Sequence, residues 1–540
     1  MFDNTRPNVI ILSDYGSQIY MEKTLGPYKI AKQLRDSGFQ VAVVHHLMTF
    51  SVTEIKHILK NLISDKTLFV GVNNFFYYKP INNDGKLDLV FQDTGSIIPH
   101  GKHYNEQIKN YIQECNPKCK LVIGGPNACD IEDYNSFDYV LLGYGEMSVI
   151  NLAKHLENPV IDLDKSYKSH HGFIVIDDSK AASYDFVNHI MTYEDHDALL
   201  ENEPMVIEVG RGCIFQCKFC SYPLNGKKKL DHVRTEESLY TEFLENYEKH
   251  GITRYQISDD TLNDCVEKCE MLANIAERLP FQPEYWAYIR LDLLTAHPET
   301  IEMLYKSGLR ATFYGIESLN EESAKFIGKG GPREKLIDTL KFVNKTYNIN
   351  QTGGFIFGLP YESLQSMRET ADWLLSDDNP LDSWLTLPLM IRNTDLVEGG
   401  NGFISDIDRN WKSYGYIDTG IKTSKFYTKG LIPWKNQYTD FNEVISLIEE
   451  MAVRGKEIKK DTQSISGRHC LHLAGLSNSS MDEYSKLDHS SIDWQSLDRL
   501  KLARATEYKN KLFKHCNIPD FVRQKEYTTF MEFLTSNEYF

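Results

Sequence analysis

Three cysteines, Cys213, Cys217 and Cys220, lie at intervals of four and three residues in the segment GRGCIFQCKFCSYP. Thiolates are the usual ligands of iron-sulfur clusters. Three ligands leave one iron of a four-iron cubane free of protein, and that iron can bind a small molecule as an open catalytic zinc does. The alternative is a zinc site, but zinc sites favour two paired cysteine or histidine sets, and no second set lies nearby.

Two further cysteine pairs, Cys115 with Cys119 and Cys265 with Cys269, are each spaced by four residues on segments that we predict to be helical. Residues four apart share one face of a helix. Because neither pair has a third and fourth ligand, we interpret both as ordinary thiols. A second cluster held by Cys115, Cys119 and Cys129 would instead favour sulfur insertion.

The bulk composition bounds the class of protein. The 540 residues carry 59 Lys and Arg against 76 Asp and Glu, and the net charge of -17 disfavours bulk nucleic acid as a partner. No run of about 18 apolar residues occurs, and the N-terminal segment has no basic region before an apolar stretch. Ten cysteines without a secretory signal predict free thiols or metal ligands. We therefore expect a cytoplasmic protein with no membrane partner.

The order of apolar runs predicts an α/β protein of several domains. Strands alternate with helices in residues 1–155, which is typical of a doubly wound parallel sheet. Residues 156–203 are irregular and charged and are interpreted as a connector. Residues 204–394 contain six strand-helix units, predicting a partial (β/α)6 barrel with its functional rim at the carboxyl ends of the strands. Residues 395–540 are expected to be mainly helical and to close the barrel mouth.

The cysteine loop, with the aromatic Phe219 before its last cysteine, resembles the signature of the radical S-adenosylmethionine (SAM) superfamily. This resemblance implies a [4Fe-4S] cluster whose open iron chelates SAM. One electron would cleave the sulfonium to methionine and a 5'-deoxyadenosyl radical, which abstracts hydrogen from a substrate. It also implies a reductant such as flavodoxin or ferredoxin and a small-molecule or peptide substrate, which the sequence does not identify.

Other residues at the strand ends resemble the SAM contacts of that superfamily. The amino group of SAM would meet a polar turn after the second barrel strand, and its carboxylate suits an arginine on the third. Residues of the fourth strand resemble ribose and methionine contacts, and glycines of the fifth permit close approach of adenine. The alternatives are a helix cap, structural ion pairs and simple packing. These residues are Ser258, Asp259, Asp260, Arg290, Glu317, Ser318, Gly354 and Gly358.

The segment GGPNACDIEDYNSFDYVLLGYGE resembles the end of the cobalamin-binding domain that is fused to many radical SAM enzymes. The resemblance implies that its glycines and its final glutamate face the corrin and its nucleotide tail. These positions are Gly124, Gly125, Gly143, Gly145 and Glu146. The cobalt-binding D-x-H-x-x-G motif is absent, because the first loop reads DYGSQIYMEKTLG. A domain that binds cobalamin and one that is vestigial or binds substrate both remain open.

The leading hypothesis is a cobalamin-dependent radical SAM methyltransferase that acts on an unactivated carbon or phosphorus centre. A second hypothesis keeps radical SAM chemistry without cobalamin, in a rearrangement, cyclisation or oxidation. The third, from another class, is a non-enzymatic iron-sulfur or zinc protein.

Overall fold

Two β-sheets form the framework of the computed structural model of this chain. The model describes residues 6–13, 23–47, 50, 52–73, 101–125, 137–163, 166–168, 172–178, 184–201, 203–222, 224–392, 404–420, 431–458 and 494–519. Its α/β architecture, with predominantly parallel sheets, confirms the predicted fold class. None of the helices within these ranges is long and apolar enough to cross a membrane.

The first sheet has seven strands in the order β2-β1-β3-β4-β5-β7-β6, and all neighbours are parallel except β6 and β7. Its strands are β1 Val9–Leu12, β2 Val41–Val44, β3 Phe69–Asn73, β4 Lys120–Gly124, β5 Tyr139–Gly143, β6 Ser166–Lys168 and β7 Ile174–Asp178. The helices are α1 Leu25–Asp36, α2 Val52–Leu62, α3 Gly101–Cys115 and α4 Gly145–Glu157. Continuous β-branched runs make the central strands buried on both faces, as a doubly wound sheet requires.

The segment 156–203 is more than a connector, and this corrects the expectation from its sequence. It supplies β6 and β7, which extend the edge of the first sheet beside β5. It also contains a short 3-10 helix, Asp195–Asp197, in which Asp197 bonds Arg35 of α1 at 2.7 Å. The apolar run that forms β7 is short and followed by acidic residues, so its pattern was too weak to predict a strand.

The second sheet has six parallel strands in the order β13-β12-β11-β10-β9-β8, as expected for a partial barrel. Its strands are β8 Met205–Ile207, β9 Arg254–Ile257, β10 Glu284–Ile289, β11 Leu309–Glu317, β12 Asn350–Phe357 and β13 Ser383–Pro388. The intervening helices are α5 Glu236–His250, α6 Val266–Arg278, α7 Leu291–Ala296, α8 Glu299–Ser307, α9 Glu321–Ile327, α10 Arg333–Thr346 and α11 Leu364–Leu375.

Local capping residues fix where several barrel helices begin and end. Thr235 accepts a hydrogen bond from the Ser238 amide at the start of α5, and Gly251 ends that helix with φ 69°. Ser363 forms a capping box at the start of α11. Such caps satisfy amides that a helix leaves without partners, so the sequence positions these helices independently of tertiary packing.

The C-terminal region is helical with short strand pairs. Its elements are β14 Ile391–Arg392, α12 Asp406–Asn410, β15 Ile417–Asp418, β16 Leu431–Ile432, β17 Trp434–Lys435, α13 Phe441–Glu457 and α14 Trp494–His515. Helix α13 packs on α11 and β13 at the edge of the barrel. The last helix does not close the barrel mouth: Tyr508 and Leu512 of α14 are buried in the core on the α2 and α3 side of the first sheet.

One continuous core joins the two sheets. The face of the first sheet that carries α1 and α4 shares an apolar cluster with the barrel, in which Tyr28 and Leu152 lie with Met205 and Ile257. Helix α1 also contacts β8 directly. The first sheet is therefore packed against the first strand of the barrel, next to the loop that follows it.

Candidate active site at the carboxyl rim of the barrel

The three cysteines lie in the loop that leaves β8. The Cys213 amide donates to the Leu224 carbonyl at 3.1 Å, and the Cys213 carbonyl accepts from the Lys227 amide at 3.0 Å. The Cys220 amide donates to the Cys217 carbonyl at 3.0 Å, which closes a turn between these two cysteines. These backbone hydrogen bonds therefore fold the loop on itself.

Each thiol has a distinct polar neighbour. Cys213 Sγ lies 3.7 Å from Thr261 Oγ1, and Cys217 Sγ lies 3.6 Å from the Gly328 carbonyl oxygen. Burial raises the pKa of Cys213 and of Cys220, and a hydrogen bond with Asn225 opposes the shift at Cys220. These thiols are not disulfide-bonded, so they are available as ligands.

The donor set fits an iron-sulfur cluster by its chemistry, because three thiols lie in one short loop at a strand end. Within the described part of the chain, no group of three or more His, Cys, Asp or Glu side chains could hold a single metal ion. A cubane places each cysteine sulfur on a different iron, so its ligands need not converge on one point.

The polar turn after β9 divides into a buried and an open half. Asp259 is fully buried, pairs with Lys268 of α6 at 2.7 Å, and accepts the Val209 and Gly210 amides at 2.8 and 2.9 Å. Its side chain is thus committed to holding the start of the cysteine loop. Ser258 and Asp260 are exposed. Although the residue as a whole is exposed, desolvation of its carboxyl group and the nearby Asp259 carboxylate raise the pKa of Asp260 to about 7, and a hydrogen bond with Tyr222 opposes the shift.

Arg290, directly after β10, lies against the cysteine loop. Its Nε and Nη2 atoms bond the Asp292 carboxylate at 3.0 and 2.6 Å, and Nη1 lies 3.3 Å from Cys217 Sγ. Nη2 also donates to the Gly328 carbonyl at 2.9 Å. The arginine expected to meet a SAM carboxylate is therefore already paired with an aspartate and a thiol.

The end of β11 carries Glu317 in a backbone conformation with φ 66°, which L-residues rarely adopt. Its carboxylate lies 3.5 Å from Lys329 Nζ, and burial raises its pKa. The adjacent Ser318 hydroxyl donates to Glu362, a buried carboxylate. Glu317 and Ser318 thus have protein partners of their own at the rim.

The two glycines expected near adenine lie on or just after β12. Gly354 is buried, and a Cβ there would come within 2.6 Å of the Phe313 ring. Gly358 has φ 90°, and a Cβ there would come within 2.3 Å of Trp434 of β17. Close approach is needed at both glycines, and in the described structure it is made by aromatic side chains.

Phe219 is partly buried against the barrel core, with Lys329 Nζ 6.0 Å from its ring centroid. The lysine belongs to the run GKGGP, residues 328–332, which follows α9. This run contacts two functional elements, since Gly328 touches Cys217 and the Gly330 amide donates to Asp292 at 3.2 Å. Its glycine density was the signal of close backbone approach.

The residues predicted to face cobalamin lie at the carboxyl edge of the first sheet. Gly124 ends β4 and is followed by Gly125 with φ 122°, while Gly143 ends β5 with φ 82°. Gly145 starts α4 close to Ile30 of α1. Glu146 is buried and accepts from Arg211 Nη2 at 2.7 Å. Residues 14–22 and 126–136, which carry the rest of these loops, lie outside the described part.

Arg211 was not singled out in the sequence, although it stands two residues before Cys213. It bonds Glu208 at 2.8 and 3.0 Å as well as Glu146, and Glu208 also pairs with Lys29 of α1. The guanidinium lies over the Tyr144 and Phe186 rings, at 4.6 and 4.8 Å from their centroids. Arg211 thereby ties the start of the cysteine loop to the first turn of α4.

Comparison with known proteins decides the class of the barrel. Residues 207–374 match the family model described as the radical SAM superfamily. The barrel is a radical SAM domain. The match covers the cysteine loop and the barrel as far as α11, and it confirms the resemblance drawn from the sequence.

Curated relatives share part of this chain. It is 25% identical over 221 residues to an uncharacterized methyltransferase of Pyrococcus horikoshii, covering 41% of this chain and 47% of the relative. It is 28% identical over 188 residues to the bacteriochlorophyllide d C-12(1)-methyltransferase of Chlorobaculum tepidum, covering 33% and 39%. The chain thus spans less than half the length of these relatives.

Two solved structures share the fold along most of the chain. TsrM from Kitasatospora setae, a radical SAM methyltransferase with cobalamin and a [4Fe-4S] cluster bound, superimposes with a TM-score of 0.61 at 12% identity. The match covers 93% of this chain and 99% of TsrM. OxsB, a cobalamin-dependent radical SAM enzyme with aqua-cobalamin and SAM bound, gives a TM-score of 0.54 at 13% identity. This match covers 95% of the present chain and 80% of OxsB. The shared fold includes the N-terminal sheet.

Proposed function

We propose that this radical SAM enzyme is a cobalamin-dependent methyltransferase acting on an unactivated carbon or phosphorus centre. In this proposal Cys213, Cys217 and Cys220 hold a [4Fe-4S] cluster, and the rim of the barrel binds SAM. The carboxyl edge of the first sheet binds cobalamin. When bound, the cluster supplies the electron that cleaves SAM, and the corrin carries the methyl group.

The main support for the proposal is the ion pair of Arg211 and Glu146, which joins the barrel rim to the carboxyl edge of the first sheet. Arg211 immediately precedes the cysteines, and Glu146 lies in the turn predicted to face the corrin; they are joined at 2.7 Å. Both side chains are nearly buried, so the pair resists separation by solvent. A methyl transfer between two cofactor sites needs a fixed geometry, which such a bridge provides.

Glycine geometry supports a ligand at the first sheet. Gly125 follows β4 with φ 122°, and Gly143 ends the neighbouring parallel strand β5 with φ 82°. Such glycines let the backbone turn sharply at the strand ends, where ligands of these sheets bind. In this proposal Gly124, Gly125, Gly143 and Gly145 line the corrin site, and Glu146 acts mainly through Arg211.

The protein contacts at the barrel rim refine the predicted SAM site. The Asp259 carboxylate already binds Lys268 and the Val209 and Gly210 amides. In this proposal the side chains of Ser258 and Asp260 therefore accept hydrogen bonds from the SAM amino group. Phe219, Glu317, Ser318, Gly354 and Gly358 surround the remaining rim. An external one-electron donor such as flavodoxin or ferredoxin would reduce the cluster.

The matched proteins support two parts of the proposal, which are methyl transfer and cobalamin binding. The curated relatives include methyltransferases, and a further TsrM structure contains a tryptophan substrate and a SAM analogue. TsrM and OxsB both bind cobalamin.

The experiment is anaerobic reconstitution with iron, sulfide and hydroxocobalamin, followed by dithionite and SAM. We expect about four irons per chain, a retained corrin absorbance and formation of 5'-deoxyadenosine. Alanine at any of the three cysteines should abolish the product, whereas Cys115→Ala, at an exposed thiol outside the loop, should retain it. Product without retained corrin would replace the proposal by radical SAM chemistry lacking cobalamin.

A further inference from the structure

The guanidinium of Arg290 is aimed at one ligand of the proposed cluster. Nη1 donates to Cys217 Sγ at 3.3 Å, while the equivalent neighbours of Cys213 and Cys220 are the uncharged side chains of Thr261 and Asn225. The three thiols therefore differ in their polar surroundings. Cys217 is the ligand with a cationic donor.

Several contacts hold that guanidinium in place. Asp292 binds Nε and Nη2, the Gly328 carbonyl accepts from Nη2, and the ring of Phe215 lies 3.9 Å from Cζ. The Arg290 backbone is fixed as well, because Asn263 exchanges two hydrogen bonds with its amide and carbonyl, at 2.9 and 3.0 Å. Arg290 is only 4% exposed, so water competes little for its N–H donors.

The donor count limits what else Arg290 can do. Of its five N–H groups, one goes to the thiol, two to Asp292 and one to Gly328, which leaves one on Nη1. A two-pronged bond to a SAM carboxylate would require it to leave Asp292. The observed position favours a role at the sulfur instead.

We infer that Arg290 is a positioning residue that raises the reduction potential of the cluster through its hydrogen bond to Cys217. A bond to a thiolate sulfur stabilises negative charge, and the reduced cluster holds one electron more than the oxidised one. Asp292 balances the charge of the guanidinium, so the directed Nη1–H is what acts on the sulfur. The inference rests on the proposed function, because it requires the cluster.

The test is a redox titration of the reconstituted cluster, followed by absorbance and electron paramagnetic resonance. In Arg290→Met we expect the ratio of reduced to oxidised cluster at a fixed potential to fall at least tenfold, which corresponds to a potential 59 mV lower. Arg290→Lys keeps a cation but loses the planar guanidinium, so its reduction potential should lie between those of wild type and Arg290→Met. Arg310→Met is the matched control, because Arg310 bonds the Tyr305 and Leu309 carbonyls away from the thiols.

The outcomes separate the two proposals. Failure of the wild-type chain to bind a cluster overturns the proposed function. A wild-type cluster together with Arg290→Met and Arg290→Lys clusters of full iron content and unchanged potential overturns the role of Arg290. If the methionine variant does not fold, the lysine variant decides: a lowered potential supports the inference, and an unchanged one contradicts it.

Discussion

Glu362 shows how a carboxylate at the rim is held without a cation. The residue is 2% exposed, and its oxygens accept from the Ser318 hydroxyl and from the Gly358 and Leu359 amides. Burial raises its pKa to about 7. These bonds join the ends of β11 and β12, so Glu362 fixes two segments that we propose to surround SAM.

Stability should depend on the proton of Glu362. The folded pKa of about 7 lies above the ordinary 4.5, so the folded state retains a proton that the unfolded chain has lost. The stabilisation is full below pH 4.5 and is lost as pH rises through 7, by about 3 kcal/mol at most. We expect wild type to lose most of this amount relative to Glu362→Gln between pH 5 and 8 in urea unfolding. An equal difference at both pH values would contradict the shifted pKa.

Residue types at the rim could be predicted from the sequence, but their partners could not. Asp259 and Asp260 are adjacent, and only the structure distinguishes the one bonded to Lys268 from the one that is open. Glu146 was expected to face the corrin, yet its carboxylate bonds Arg211. A strand end determines where a residue lies, while its partner depends on elements distant in the sequence.

At the scale of elements, the cysteine loop depends on a glycine conformation. Gly212 has φ 127°, and a Cβ there would lie 2.9 Å from the Leu224 carbonyl oxygen. That carbonyl accepts the Cys213 amide. A side chain at this position would therefore push apart the bond that closes the loop around the first ligand.

Gly212→Ala should destabilise the fold by about 1–3 kcal/mol and lower the iron content after reconstitution, because the backbone strain and the contact act together. Urea unfolding and an iron assay measure both effects. Gly330→Ala is the control, since a Cβ there meets nothing within 4 Å. Equal stability and iron content in the two variants would show that the loop relaxes without cost.

Elements with a clear period were predictable. The six predicted barrel strands each appear in order, with helices between them. By contrast β6 and β7 were missed, because they are short and lie among charged residues. The spacing of apolar residues in α14 is typical of a helix with one apolar face, but it does not indicate which of the two sheets that face packs against.

At the scale of the whole molecule, a bridge of four charged side chains near the cysteine loop joins the first sheet to the barrel, beside the apolar core that they share. Lys29 of α1 and Glu146 of α4 lie on helices that cover the first sheet, whereas Glu208 and Arg211 follow the first barrel strand. Two cations and two anions make the group neutral, which limits the cost of burying it. The bridge sets the distance between the two proposed cofactor sites.

Breaking the bridge should loosen the contact between the sheets. In Arg211→Met we expect faster amide hydrogen exchange in residues 143–157 and in the cysteine loop, because Glu146 is left buried and unpaired. Arg278→Met removes an arginine from surface pairs with Glu236 and Glu237 and should leave those segments unchanged. Unchanged exchange in Arg211→Met would show that apolar packing alone fixes the interface.

The most direct test of the central claim is whether SAM binds the cluster itself. We predict that the dithionite-reduced, reconstituted protein gives an electron paramagnetic resonance signal of a [4Fe-4S] cluster, and that adding SAM changes the signal because one iron has no protein ligand. Cys217→Ala should give no such response. A cluster signal that is identical with and without SAM would contradict the account.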